Sequence, residues 1–211
     1  MIEESWLLSY IQKAKDFGAT VALDIGANVG TWTALLAEHF DLVIAVEPDH
    51  RAFAELTKLA SNKVMCLHQA VTSKVGAVEL HLRQHSVQSS LLDHHPVGAG
   101  GQSEAPIIET AGVNGVTMDF LLFQARQRFG DLGRLFIKVD VEGAEGDVLA
   151  GATEQAFRDA AWLIEIHARE QEVGIGLRDL GYDGLSIIPH PSENAHPQHG
   201  WIYTEPGYAH S

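Results

Sequence analysis

Two groups of side chains in this sequence have the types and spacing to do chemistry. The first is the turn DIGANVG at residues 24–30, which follows the apolar residues Val21 to Leu23. Asn28 and Gly30 tolerate left-handed backbone, so the chain there can pass close to a ligand. A helical pattern opens directly after the turn, and a strand–glycine–helix junction presents free N–H groups to nucleotides. The dinucleotide version of such a turn needs G-x-G-x-x-G. Here Gly26, Asn28 and Thr31 occupy the three places, and Thr31 would obstruct close approach to a pyrophosphate. Asp24 would repel a pyrophosphate but suits a cationic amino-acid group. Glu47 ends the next apolar run 17 residues after Gly30, where a carboxylate can accept two hydrogen bonds from a ribose diol.

A ligand that wants an anion at one end, a diol clamp at the other and no phosphate between them is S-adenosylmethionine. NAD is the worse fit. Methyl transfer from that cofactor is an in-line displacement, in which a protein supplies position and a proton sink for a hydroxyl acceptor. The second group of side chains offers both. Asp140, at the tip of the apolar run LFIKVDV, and Glu142 fall on one side if the strand continues, with Glu145 nearby. Glu145 is read as opening a helix and favouring its dipole. His167 closes the run AWLIEIH and, titrating near neutrality, is expected to take the acceptor's proton.

A carboxylate after one strand and ligands after the next could also hold Mg²⁺. His167 is a poor ligand for that ion, so the expectation is a metal-independent site, with Mg²⁺ as the less favoured option. Lys138 lies between Ile137 and Val139 and must pair with a carboxylate if buried. His85, His94, His95, His190, His196, His199 and His210 have no CxxC or HExxH frame to organise them into a zinc site. They read as solvated loop residues, some of them beside an acceptor pocket. Ser89 and Ser90 either touch substrate or cap a turn.

Elements that would position these groups alternate along the chain. Helical spacing covers residues 5–17, with Gly18 as the stop. Strands are expected at 21–25, 42–47, 63–71, 135–141 and 161–167, with helices at 31–40, 49–60, 118–129 and 145–157 and a glycine-interrupted one ending at Leu180. Residues 76–82 alternate with the two-residue period of a half-exposed edge strand or hairpin. Residues 84–112 read as a long loop, either a lid or an insertion. The runs 185–189 and 201–205 close the chain as an antiparallel pair. Apolar strands alternating with helices indicate a mostly parallel sheet covered on both faces.

Composition narrows the partners. The 211 residues suit one domain, 1–211, with an N-terminal helix over 1–18. A formal charge of −14 argues against nucleic acid and anionic membrane surfaces as partners. A single cysteine, Cys66, fits a core position in a reducing compartment. The acidic start is no secretory n-region and no apolar run reaches membrane length, so a cytoplasmic location is expected. The N-terminal helix, carrying Trp6 and Tyr10, either covers the sheet or swaps into a homodimer.

DIGANVG, AVEPD (45–49), HQAV (68–71), VTMDFLL (116–122), IKVDVEGAEGDVLAGA (137–152) and LIEIH (163–167) together resemble an FkbM-type S-adenosylmethionine-dependent methyltransferase. The resemblance implies a Rossmann-like class I fold: a mostly parallel seven-stranded sheet, helices on both faces and an antiparallel C-terminal strand. It also implies O-methylation of a small-molecule acceptor, in sugar or secondary metabolism. By carry-over Asp24, Gly26, Asn28 and Gly30 line the methionine end of the cofactor. Glu47, with Pro48 beside it, holds the ribose, and Gln69 or Ala70 flanks the adenine. Asp140, Glu142 and His167 are the candidates for acceptor handling. The alternatives are N-methylation of a small amine, or a regulatory module that binds cofactor without turnover.

Overall fold

The computed structural model describes residues 4–84, 89–91, 105–167, 170–189 and 199–207. In chain order the elements are α1 (Glu4–Asp16), β1 (Val21–Ile25), α2 (Thr31–His39), β2 (Leu42–Val46), α3 (His50–Leu56), β3 (Val64–Leu67) and β4 (Ala70–Val71). They continue with β5 (Gly76–Arg83), β6 (Ile107–Val116), α4 (Met118–Phe129), β7 (Leu135–Val139), α5 (Glu145–Ala150) and α6 (Gln155–Arg158). The last are β8 (Ala161–His167), α7 (Glu170–Asp179), β9 (Ser186–Pro189) and β10 (His199–Thr204).

Seven strands form one sheet in the order β3-β2-β1-β7-β8-β10-β9. Only β10 runs against its neighbours, inserted between β8 and β9. This is the arrangement that the sequence resemblance implies. Alternation along the central strands explains the two covered faces. Leu23, Ile25, Ile137, Val139, Ile164 and Ile166 pack against α4, α5 and α7, while Ala22, Phe136 and Leu163 pack against α1 and α2. Cys66 is half-buried and packs beside Leu59 and Leu56, which suits the core role expected of it. No helix among the described residues is long and apolar enough to cross a membrane.

Three expectations need correction. The run 63–71 is not one strand: β3 ends at Leu67, and Ala70–Val71 joins a separate three-stranded sheet, β4-β6-β5. The residues 107–112, read as loop, belong to the ten-residue strand β6, antiparallel to β5. Its segment IIETAGVNGV is mostly exposed and carries two glycines, so it lacks the apolar signal by which strands are recognised, and the hairpin partner supplies its order. The expected helix 145–157 breaks at Gly151 into α5 and α6. A Cβ at Gly151 would meet the Thr72 carbonyl at 2.6 Å, so the chain passes that strand end closely and cannot carry a helix through it. Of the rest of the expected lid, residues 85–88 and 92–104 lie outside the described residues.

Candidate active site

The C-terminal ends of β1, β2 and β7, with β4 and the hairpin sheet above them, enclose a pocket, as expected of an open parallel sheet. Of the residues expected to bind cofactor, Gly26, Asn28, Glu47, Pro48, Gln69 and Ala70 line it. Gly26 has φ 78°, and a Cβ there would stand 1.8 Å from the carbonyl oxygen of Asp140. Only glycine lets the first turn and the β7 loop cross. Asn28 is left-handed at φ 50°, and its N–H donates to Glu47 Oε2 at 2.7 Å. The N–H of Asp49 donates to Glu47 Oε1, also at 2.7 Å. Burial lifts the Glu47 carboxyl to about 7, against the pull of those two N–H groups. Gln69 Oε1 is buried with no hydrogen-bond partner among the described residues.

Asp24 and Gly30 stand elsewhere than expected. Asp24 is fully buried on the α2 face of the sheet, where Thr33 Oγ1 donates to it at 2.6 Å and Lys138 Nζ lies 3.3 Å away. It does not line the pocket. At Gly30 (φ 93°) a Cβ would press on Leu59 and Leu56, so this glycine lets α2 start against the α3 region.

The acceptor candidates meet just beyond β7 and β8. The strand stops at Val139, so Asp140 and Glu142 do not share a strand face as expected; Glu142 takes a left-handed turn at φ 54°. Both still line the pocket. Lys138 Nζ reaches Asp140 Oδ2 at 3.3 Å and the Gly26 carbonyl at 3.1 Å, and lies over the Trp32 ring. The expected carboxylate partners of Lys138 are therefore Asp24 and Asp140. Burial alone would lower the lysine pKa, but the two carboxylates outweigh it and raise it.

His167 is buried beneath this cluster. Its Nδ1 meets Glu145 Oε1 at 2.9 Å, and its Nε2 meets Glu142 Oε2 at 3.4 Å and Glu165 Oε1 at 3.9 Å. Burial alone would discharge the ring; Glu142, Glu145 and Asp140 overcome that and push its pKa up to about 10. At neutral pH it is an imidazolium, not the near-neutral base expected of it. Burial, reinforced by Asp140, raises Glu165 well above the usual carboxylate range. Asp140 is held below that range: burial opposes ionisation, but Lys138 and His167 prevail.

Glu145 is more than a helix-dipole partner. It is fully buried, accepts the Gly143 N–H at 2.9 Å and orients His167. Glu165 was missed as a site residue, although the i, i+2 spacing of Glu165 and His167 on one strand already places them on one face. Ser89 and Ser90 line the pocket and tie its roof down: Ser89 Oγ donates to Asp49 Oδ2 at 3.1 Å, and Ser90 Oγ to the Glu142 carbonyl at 2.8 Å. Of the seven loop histidines, six lie outside the described residues, and at His199 only the backbone, in β10, is described.

A family model for the methyltransferase FkbM domain matches residues 24–198. No curated protein matches the sequence. Similar solved structures include a precorrin-6y C5,15-methyltransferase from Geobacter metallireducens, 11% identical, covering 96% of this chain and 89% of its own, TM-score 0.47. An O-methyltransferase from Bacillus cereus in complex with S-adenosylhomocysteine is 10% identical, covering 96% and 81%, TM-score 0.48. A putative methyltransferase from Streptococcus mutans, also in complex with S-adenosylhomocysteine, is 11% identical, covering 97% and 99%, TM-score 0.46.

Proposed function

Since this chain belongs to the FkbM methyltransferase family, we propose that it transfers a methyl group from S-adenosylmethionine to a hydroxyl of a small-molecule acceptor. The observation that carries this reading is one pocket lined at once by Glu47 and Gln69 and by Asp140 and Glu142. The residues fit the cofactor. Gln69 Oε1 is a buried acceptor in need of a donor, which an adenine amine supplies. Glu47 is a buried carboxylate whose ionised form gains from the two hydroxyls of a ribose. Gly26 and Asn28 give backbone access for the methionine end. Asp24 acts from behind them: it holds Lys138, which in turn grips the Gly26 carbonyl.

When bound, the cofactor supplies a methyl group on a sulfonium, poised for in-line displacement. Asp140 is ionised, partly exposed and steadied by Lys138, so it accepts the hydrogen bond of an acceptor hydroxyl and fixes its direction. The Asp140 carboxylate would take the hydroxyl proton that methylation releases. His167 holds Glu142 and Glu145 in place and offsets the charge of Asp140. Leu80 and Leu91 give the pocket an apolar wall that keeps water from competing.

One observation favours a second reading. Carboxyls outnumber cations around Asp140, which would draw an ammonium acceptor and N-methylation. Calorimetric titration with S-adenosylhomocysteine, with NADH as comparison, tests the cofactor assignment. Binding of the former alone, lost in Glu47→Ala, is expected; preference for NADH would overturn it. Turnover with alcohol and amine acceptors then separates the two readings.

A further inference from the structure

We propose that Asp140, Glu165 and His167 bind a divalent transition-metal ion, with its open positions facing the acceptor. One ligand atom from each of the three residues lies within 4.8 Å of the others. Donors at bonds of about 2.0–2.3 Å around one ion stand at most roughly 4–4.6 Å apart, so small side-chain adjustments suffice. The positions are built and rigid. Glu165 and His167 alternate on the same face of β8, and Asp140 follows the paired strand β7. Glu165 and His167 are 8% and 6% exposed, whereas the Asp140 side chain is 25% exposed toward the pocket.

A second observation, on the residue that orients one of these donors, points to a metal. His167 gives Nδ1 to a fully buried carboxylate, Glu145, which turns Nε2 toward Glu165 and Glu142. A buried carboxylate on one imidazole nitrogen, with the other nitrogen aimed into a donor cluster, is how metal-ligating histidines are oriented. The second oxygen of that carboxylate, Glu145 Oε2, is buried with no hydrogen-bond partner among the described residues. The protein thus commits a whole buried carboxylate to aiming one ring.

Charge points the same way. Asp24, Asp140, Glu142, Glu145 and Glu165 are five carboxyls within one connected cluster, and Lys138 and His167 are its cations. Lys138 is engaged by Asp24 and by one oxygen of Asp140. Buried carboxylates without counter-charge are costly; a divalent ion bound by a neutral His167 would replace the ring proton as the cluster's counter-charge. Two oxygens and one imidazole suit Mn²⁺, Fe²⁺ or Zn²⁺ better than Mg²⁺ or Ca²⁺. This departs from the metal-independent expectation, which weighed His167 without Glu165 beside it. The role of the ion rests on the methyl-transfer reading: through its open positions it would orient an acceptor oxygen and acidify its proton. Its binding does not depend on that reading.

The test is a titration of the chelator-treated full chain with Mn²⁺ in excess Mg²⁺, following free Mn²⁺ by electron paramagnetic resonance. One Mn²⁺ per chain is expected, weakened at least tenfold in Asp140→Asn, Glu165→Gln and His167→Asn, and displaced by Zn²⁺. Absence of a stoichiometric site in the wild type, unchanged affinity in all three variants, or loss of the site to Mg²⁺ would each overturn the proposal. Binding of S-adenosylhomocysteine by the same samples reports that each variant is folded. Cofactor binding without Mn²⁺ binding sinks the metal site alone; Mn²⁺ binding without cofactor binding sinks the methyl-transfer reading alone.

Discussion

Glu47 and Asp140 line one pocket from either side of β1, and they are built in opposite ways. Glu47 is a carboxyl whose two oxygens are met by backbone N–H groups of Asn28 and Asp49, with the Arg51-paired Asp49 carboxylate beside it. Asp140 stands in a web of side chains that includes Lys138, His167 and Glu165. Backbone donors belong to the turn and come with it wherever the turn forms. A side-chain web needs several strands in register. The first site therefore rests on backbone donors from two neighbouring strand ends, and the second is collective, so removal of one member leaves others buried and unpaired.

The sharpest break in this comparison comes at the point where the two sites touch. Gly26→Ala would place a Cβ against the Asp140 carbonyl in a left-handed conformation. A loss of roughly 5 kcal/mol or no folded protein is expected, read by urea denaturation. Next in size is Lys138→Met, which strands Asp24 and Asp140 without their cation. It should cost about 4 kcal/mol, with partial recovery in Asp24→Asn/Lys138→Met, since removing both partners leaves less uncompensated charge.

His167→Asn tests the collective site by pH. The folded-state pKa of His167 is raised from 6.5 to about 10. The stability this provides is fully present below pH 6.5 and fades as pH rises through 10. In metal-free protein the variant should therefore lose about 3 kcal/mol near pH 7 and approach the wild type at pH 10, followed by chemical denaturation at each pH.

Glu47→Gln is the smallest effect and has the opposite sign. The Glu47 carboxyl is raised from 4.5 to about 7, so the wild type loses stability as pH climbs through that interval. The variant should gain roughly 2 kcal/mol on the wild type between pH 4.5 and pH 8, from a start lowered by the one backbone N–H that its amide NH2 cannot accept. Affinity for S-adenosylhomocysteine should rise through about pH 7 in the wild type, as Glu47 ionises to accept the diol. It should stay weak and flat in Glu47→Gln. An unchanged pH profile would show that Glu47 does not hold the ligand.

Legibility in the sequence follows the same division. β1, α4 and β8 appear where the apolar pattern puts them, and the turn residues Gly26 and Asn28 stand at the pocket as their conformational needs suggest. The side-chain partners of Lys138 were foreseen as carboxylates but not as which ones, because Asp24 is 114 positions away and meets it only through the β1–β7 register. Asp24 itself looked like a ligand group because it precedes the glycines. Its alternation places it on the α2 face instead, beneath Thr33 and beside Lys138. β6 stayed hidden since its order comes from pairing with β5, not from its own apolar residues.

By itself, the sequence determined the parallel α/β scaffold, the glycine turn and the carboxylate at the end of β2. Each is written in local periodicity, local backbone freedom, or the distance from one strand end to the next. Only the tertiary structure decided the protonation of the acceptor end. His167 is a neutral-range side chain by type and an imidazolium by position, because Asp140, Glu142 and Glu145, all from the loop and helix start that follow β7, are brought against it at the end of β8. Charge is set by every neighbour within a few ångströms, and those neighbours are chosen by strand register rather than by sequence distance.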